Sequence, residues 1–338
     1  MTNGRIPTVR LGATGPEVGV QGLGCMGMSF AYGPSDAQES RATLERALEL
    51  GITLYDTADA YGQGENERFL SPFFKANRDQ VVIATKFALS IPPGEPTRRV
   101  IRNDPPYIRQ AVEASLKRLD VDEIDLYYMH RRDVNVPIEE SVGAMAELVR
   151  QGKVKHLGLS EVTAAELRAA HAIHPIAAVQ SEWSLFSRDI EPNVVPAARE
   201  LGVALVPYSP LGRGFLTGSF TNADKELTSD DFRRQQPRYT GENAAANAAL
   251  LDPIRTVAAA HEASLGQIAL AWAQQQATVH NLPVVPIPGT RKPSRVEENA
   301  GATAIVLTDE ELAALEPIAS KVAGDRYADM RFSSAGRE

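Results

Sequence analysis

Four side chains from three separate stretches of the chain, Asp56, Tyr61, Lys86 and His130, have the chemistry needed to hand a proton to a reacting oxygen. Asp56 and Tyr61 share the run Leu54-Tyr55-Asp56-Thr57-Ala58-Asp59-Ala60-Tyr61-Gly62. Lys86 ends Val81-Val82-Ile83-Ala84-Thr85, and His130 ends Ile124-Asp125-Leu126-Tyr127-Tyr128-Met129. A tyrosine is a poor acid, with a reference pKa of about 10. An adjacent ammonium stabilises the phenolate and lowers that value, and a carboxylate can hold the ammonium in place. The expected roles follow: Tyr61 donates, Lys86 and Asp56 tune it, and His130 bonds the same oxygen and orients the substrate. General acid help of this kind is worth ~10²–10⁴ in rate. Taken singly, each residue has an ordinary reading. Asp56 is a strand-end cap, Lys86 a solvated edge charge, Tyr61 a packed aromatic and His130 a structural histidine. Their shared position is what argues for chemistry.

That position is the C-terminal end of a strand with a helix to follow, and in a parallel α/β barrel such ends converge on one mouth. Short apolar runs predict strands at 20–23, 53–56, 81–85, 124–129, 156–159, 177–179, 204–207 and 284–287. Helical periodicity falls between them, at 36–50, 106–119, 141–150, 164–172 and 193–201, with Gly51 stopping the first as a C-terminal glycine does. Eight strands alternating with helices predict a (β/α)₈ TIM barrel, α/β in class, rather than an open sheet. Residues 8–20, with Thr14-Gly15-Pro16 at their centre, predict a β-hairpin ahead of the barrel. Residues 211–248, after the seventh strand, are polar and rich in Gly, Asn, Asp and Arg. A loop of that length in a compact barrel is expected to be a functional cover.

The composition fits one barrel domain over residues 1–338, since a barrel commonly reaches this size without splitting. Hydrophobic residues make up 43% and charged residues 23%, enough apolar material for a core. The net charge of −8 argues against a general nucleic-acid binder. Cys25 is the only cysteine, which excludes an internal disulfide and a thiolate metal cluster. No apolar run reaches membrane-spanning length and no secretory leader is visible, so a reduced, cytoplasmic setting is expected. No metal is expected either. His171 and His174 stand three apart without a third ligand and read as helix-surface residues.

Gly22-Leu23-Gly24-Cys25-Met26-Gly27 matches the glycine pattern of doubly wound dinucleotide-binding folds. The pattern works only where its last glycines open a helix. Here it runs on into a loop, and the helix starts only near Ser35, so the match is rejected. The glycines are read instead as letting the first strand's end lie close under a ligand or turn sharply.

Asp56 with Tyr61-Gly62, Thr85-Lys86, Tyr128-Met129-His130-Arg131 and Ile287-Pro288-Gly289-Thr290 together resemble the aldo-keto reductase superfamily, over essentially the whole chain. Leu23–Ser29 and Gly158-Leu159-Ser160-Glu161 resemble its branch of perakine reductase-like and pyridoxal reductase-like enzymes. The resemblance implies a (β/α)₈ barrel, NADPH, and reversible reduction of aldehydes or ketones, with Asp56, Tyr61, Lys86 and His130 as the catalytic tetrad. Two other uses of the same residues stay open: an NADP-binding barrel that senses redox state for a partner, and an alcohol dehydrogenase working in the oxidative direction.

The resemblance also implies a cofactor surface. Ser160 and Gln180 would bond the nicotinamide carboxamide. Glu161 stands where many members have Asn, and as an anion it can accept but not donate. Tyr208 would stack on the nicotinamide. Ser209-Pro210-Leu211-Gly212-Arg213-Gly214 offers backbone amides and a cation to a pyrophosphate. Thr290 and Arg295 would meet the adenosine 2′-phosphate, with Glu298 and Asn299 near adenine. Arg291 and Lys292 would help, since guanidinium bonds to phosphate are strong and selective. Gly24 and Met26 at the first strand's end, and Ile287, Pro288 and Gly289 at the last, complete the surface. Tyr32 and Trp183 are expected in the substrate wall. The segment Arg326–Met330 is expected to fold across the opening.

Overall fold

The computed structural model describes residues 4–33, 35–91 and 100–338. Strands β1 (Thr8–Arg10) and β2 (Glu17–Gly19) pair antiparallel as the expected hairpin. The barrel wall is β3 (Leu23–Gly24), β4 (Leu54–Asp56), β5 (Val82–Phe87), β8 (Ile124–Met129), β9 (Val154–Ser160), β10 (Ile176–Glu182) and β11 (Ala204–Tyr208), all parallel and adjacent in chain order. A small antiparallel pair, β6 (Leu89–Ser90) and β7 (Val100–Ile101), interrupts the order after β5.

The eighth stave of the wall is residues 283–289, which closes the barrel without forming a regular strand. The Leu205 amide donates to the Pro283 carbonyl, Val285 donates to Leu205, and Ile287 donates to Pro207. On the other side, Gly22 and Gly24 donate to Pro286 and Pro288. Pro283, Pro286 and Pro288 have no N–H to give, so the ladder is reduced to single bridges, at Val284 and Gly289. A Cβ on Gly22 would lie 2.9 Å from Ile287 Cγ2, and one on Gly24 would lie 3.0 Å from the Ile287 carbonyl. These glycines let the first and last staves meet. Only a single 3₁₀ turn, Met26–Met28, follows directly, and the next α-helix begins only at Ala37, capped by Asp36, which bears out the rejection of the dinucleotide fingerprint.

Which side chains face the barrel axis is set by the two-residue repeat of a strand. Leu54, Ala84, Leu126, Tyr128, Ala178, Ala204 and Val206 form the interior cluster with Val285 and Ile287. Their neighbours Tyr55, Ile83, Tyr127, Leu157, Val179 and Leu205 face the surrounding helices in a separate and larger cluster. The interior is therefore a packed plug, as in other barrels of this type. Gly158 makes room in it: a Cβ there would sit 2.4 Å from the Tyr128 ring. The hairpin stoppers the N-terminal end, with Leu11 and Val18 joining the interior cluster and Ala13 donating to the Gly202 carbonyl.

The expected helices appear at Ala37–Glu49, Pro105–Leu119, Ile138–Arg150, Ala164–Ile173 and Val194–Leu201, joined by Glu65–Ala76 and others. Residues 211–248 are not one continuous loop. They hold a kinked 3₁₀ turn (Gly212–Thr217), three further short helical pieces and the start of the helix Gly241–Ala249. No helix among the described residues is long and apolar enough to cross a membrane.

Candidate active site

Asp56, Lys86, Ser160, Gln180 and Tyr208 continue the inward-facing positions of their strands, and His130 follows Leu126 and Tyr128 in the same phase. Strand register places them side by side, with Lys86 opposite Tyr128, Ser160 opposite Gln180 and Glu182 opposite Tyr208. Lys86 lies inside β5 rather than just beyond it, because the strand runs two residues further than its apolar stretch. It is fully buried, not a solvated edge charge.

The Lys86 ammonium bonds the Asp56 carboxylate, the Thr57 carbonyl at 2.8 Å and the Tyr61 hydroxyl at 3.4 Å. The other Asp56 oxygen accepts from Gln180 Nε2 at 2.7 Å. His130 stands edge-on to Tyr61 with ring centroids 5.8 Å apart. All four expected tetrad residues thus meet at one point.

Their protonation follows from burial and charge. Desolvation acts most strongly on Tyr61 and, with ionised Asp56, holds the phenol above its usual value, although Lys86 and Arg131 pull it down. The direction is thus upward where the neighbouring ammonium alone suggested a lowered phenol: the cost of burying a phenolate exceeds what the ammonium returns. Desolvation, then Arg131, then Lys86 keep the His130 imidazole well below its ordinary range, so it is neutral. Burial also opposes charge on Lys86, but Asp56 and Tyr61 outweigh it and keep the ammonium protonated.

A cavity of about 1420 Å³ opens above this cluster. Gly24, Met26 and Tyr32 line one side, with Gln180 and Tyr208 in the floor. Ser209, Leu211, Arg213 and Gly214 form a second wall. Ile287, Pro288, Gly289, Thr290, Arg295, Glu298 and Asn299 form the far end. The sequence reading missed Phe30, whose ring stacks on Tyr61 at 6.4 Å, while Phe232 and Arg233 belong to the 211–248 stretch expected as a cover, and their segment meets the loop before residue 34. Phe232 donates to the Ala31 carbonyl and the Arg233 guanidinium lies 5.0 Å from the Tyr32 ring centroid.

Several expected contacts are placed otherwise. Arg291 borders the cavity, but its guanidinium is spent on the carbonyls of Gly27, Tyr32 and Gly33, pinning that loop. Gly212 is buried behind the lining at positive φ, where it serves the turn. Ser160 is buried beneath Arg131. Trp183 lies outside the barrel interior, edge-on to Trp272, and its Nε1 donates to Glu191 at 2.9 Å. Its phase gives the reason: one residue past β10, it continues the outward phase of Val179, which the two-residue repeat could have revealed.

Glu161 is drawn away from the cavity. Its carboxylate takes Arg326, the Tyr208 hydroxyl, the Ser334 amide and the Glu182 amide. Burial pushes the carboxyl up, but Arg326, Arg131 and these amides hold it at about 2. The C-terminal segment is thereby seated across the mouth as expected, and Tyr327 lines the cavity, its hydroxyl 3.1 Å from that of Tyr208 and 2.9 Å from Arg213 Nη2. The five histidines other than His130 stay clear of the cavity lining, and no cluster of metal-ligating side chains occurs among the described residues.

The profile of the Aldo/keto reductase family matches residues 22–320. The chain belongs to that family. The barrel, the N-terminal hairpin and the inward cluster therefore belong to an oxidoreductase of the aldo-keto reductase type. A curated relative, the "Probable aldo-keto reductase 1" of Glycine max, is 45% identical over 332 residues, covering 97% of this chain and 93% of that protein. Among solved structures, the glycerol dehydrogenase of Gluconobacter oxydans superposes with a TM-score of 0.83 at 28% identity, covering 96% of this chain and 98% of the other. An aldo/keto reductase from Klebsiella pneumoniae, solved with NADP and acetate, gives 0.71 at 25% identity, covering 94% and 99%.

Proposed function

We propose that this aldo-keto reductase reduces aldehydes or ketones with NADPH, with Tyr61 as the proton donor. The observation that carries the reading is the Tyr61 hydroxyl, facing the cavity, with Lys86 bonded to it and locked in turn onto Asp56. A protonated phenol beside a neutral imidazole gives a carbonyl oxygen two hydrogen-bond partners. As charge develops on that oxygen, Tyr61 delivers its proton and the fixed Lys86 charge stabilises the phenolate left behind. His130 holds the oxygen in line without competing as a base.

The cavity's charge fits a phosphorylated dinucleotide. Arg213 bonds two phenols, Tyr32 and Tyr327, and among the described residues no carboxylate pairs with it, with Lys292 or with Arg295. Unpaired cations in a chain of net charge −8 suit phosphate groups. Arg213 and Gly214 would hold the pyrophosphate, and Thr290, Lys292 and Arg295 the 2′-phosphate. When bound, the cofactor supplies the hydride for the carbonyl carbon. The NADP in the Klebsiella relative supports this choice, and the name of the Gluconobacter relative supports a reaction that also runs from alcohol to carbonyl.

The test is NADPH oxidation against aliphatic, aromatic and pyridoxal-type aldehydes, with Tyr61→Phe beside the parent. The substitution is expected to lower kcat by ~10² or more while NADPH affinity stays within about twofold. Equal turnover by the two proteins would overturn the assignment of Tyr61.

A further inference from the structure

Among the described residues, Arg131, next to His130, is a guanidinium of the cavity lining that nothing in the proton-transfer reading uses. It follows His130, and its Nη1 donates to the His130 carbonyl at 2.7 Å and to Ser160 Oγ at 3.2 Å. Its carbon lies 5.8 Å from the Tyr208 ring centroid. No carboxylate pairs with it, and its Nε and Nη2 make no hydrogen bond among the described residues. Two donors of a fixed fork are therefore unspent beside the cavity.

Ser160, which ends the fifth barrel strand, and Glu161, which follows it, have both been withdrawn from that cavity. Ser160 is covered by Arg131, and Glu161 is bound to the C-terminal segment. Among the residues that still line the cavity, the Arg131 guanidinium lies over Tyr208, and Gln180 belongs to β10, the strand paired with the one that Tyr208 ends. The Gln180 amide has its orientation set: Nε2 must face the Asp56 carboxylate, which only accepts, so Oε1 is the free end. The cavity lining thus holds one unspent donor, over the Tyr208 ring, and one unspent acceptor. A primary carboxamide, with an acceptor oxygen and a donor NH₂ on one carbon, satisfies both.

Resting on the NADPH reading above, we propose that Arg131 is the carboxamide-positioning residue of this chain. It donates to the nicotinamide carboxamide oxygen, and Gln180 Oε1 accepts from the carboxamide nitrogen. Arg131 thus takes the place that Ser160 and the residue after it would otherwise fill. Its cation could instead hold an anionic substrate, and that use would leave cofactor affinity unchanged.

The experiment is a fluorescence titration of the full chain and of Arg131→Met with three ligands: NADPH, thionicotinamide NADPH and 2′-phospho-ADP-ribose. The second replaces the carboxamide oxygen by sulfur, a weaker acceptor, and the third lacks the nicotinamide. A lost charge-assisted bond predicts an NADPH Kd raised about tenfold or more in the variant, with 2′-phospho-ADP-ribose within about twofold. The parent should bind the thio analogue several-fold more weakly than NADPH, and the variant should bind the two alike, which isolates the Arg131–oxygen pair. Equal loss for NADPH and 2′-phospho-ADP-ribose, no loss for either, or a parent indifferent to the sulfur would each overturn the proposal. The last result needs no variant. A parent that binds none of the three ligands would remove the NADPH reading itself.

Discussion

At the scale of single residues, the cluster around Tyr61 shows how burial and charge divide the work. Lys86 cannot leave the Asp56 carboxylate without stranding a charge in the interior, so the ammonium stays at the phenol. Asp59, three residues from Asp56, shows the opposite case. One of its oxygens is buried without a partner, and desolvation followed by Glu67 pushes its carboxyl up to about 8, against the pull of Arg118. An unfolded Asp titrates near 3.9. The folded protein thus holds an extra proton between these values, so this contribution to stability is full below about pH 3.9 and is lost as pH rises through 8. Asp59→Asn should flatten the fall in stability between pH 5 and 8, measured as urea midpoints at several pH values. A slope as steep as the parent's would refute this protonation state.

At the scale of the elements, the strand repeat decides which side chains can do chemistry. Asp56, Gln180 and Tyr208 reach the cavity because they are in phase with Leu54, Ala178 and Val206. Trp183 is out of phase and packs outward, which is why a reading by strand end alone misplaced it. The same inward phase makes Gly158 a packing residue. With Tyr128 fully enclosed, a methyl 2.4 Å from its ring has nowhere to go. Gly158→Ala is expected to cost about 1–3 kcal/mol, read as a lower urea midpoint. An unchanged midpoint would mean that the plug is looser than this. Strand β9 carries Ser160 and Arg131's support, so activity should fall along with stability.

At the scale of the whole molecule, chain ends and distant loops build the mouth. An acidic chain carries Arg131, Arg213, Arg233, Lys292 and Arg295 around one cavity, so its local field opposes its net charge. The C-terminal segment is fixed there by Arg326 on Glu161 and Asp189, and by Arg337 on the Glu161 carbonyl and Glu166. Removing one member of a buried pair is strongly destabilising, by about 3–5 kcal/mol. Arg326→Met should therefore release the segment, seen as faster C-terminal clipping in limited proteolysis. The parent should show the same release in acid: Glu161 sits at about 2 when folded against about 4.3 unfolded, so its contribution is present above pH 4.3 and lost as pH falls toward 2. Clipping of the variant at the parent's rate would exclude Glu161–Arg326 as the anchor.

Local order in the sequence determined the barrel, the hairpin and the meeting of Asp56, Tyr61, Lys86 and His130. Strand and helix periods are short-range properties, and once eight such units alternate, their C-terminal ends share a mouth. The family motifs marked most of the cavity's lining as well. Tertiary structure alone decided the competition for each polar group. Glu161 and Arg291 have suitable chemistry and suitable positions along the chain, yet one is spent on Arg326 and the other on the carbonyls of Gly27, Tyr32 and Gly33. The reason is range: Glu161 and Arg326 meet across 165 positions and Arg291 and Gly27 across 264, and no periodicity reports such partners. The net pKa of Tyr61 belongs to the same class, because desolvation depends on everything packed around the phenol rather than on its neighbours in sequence.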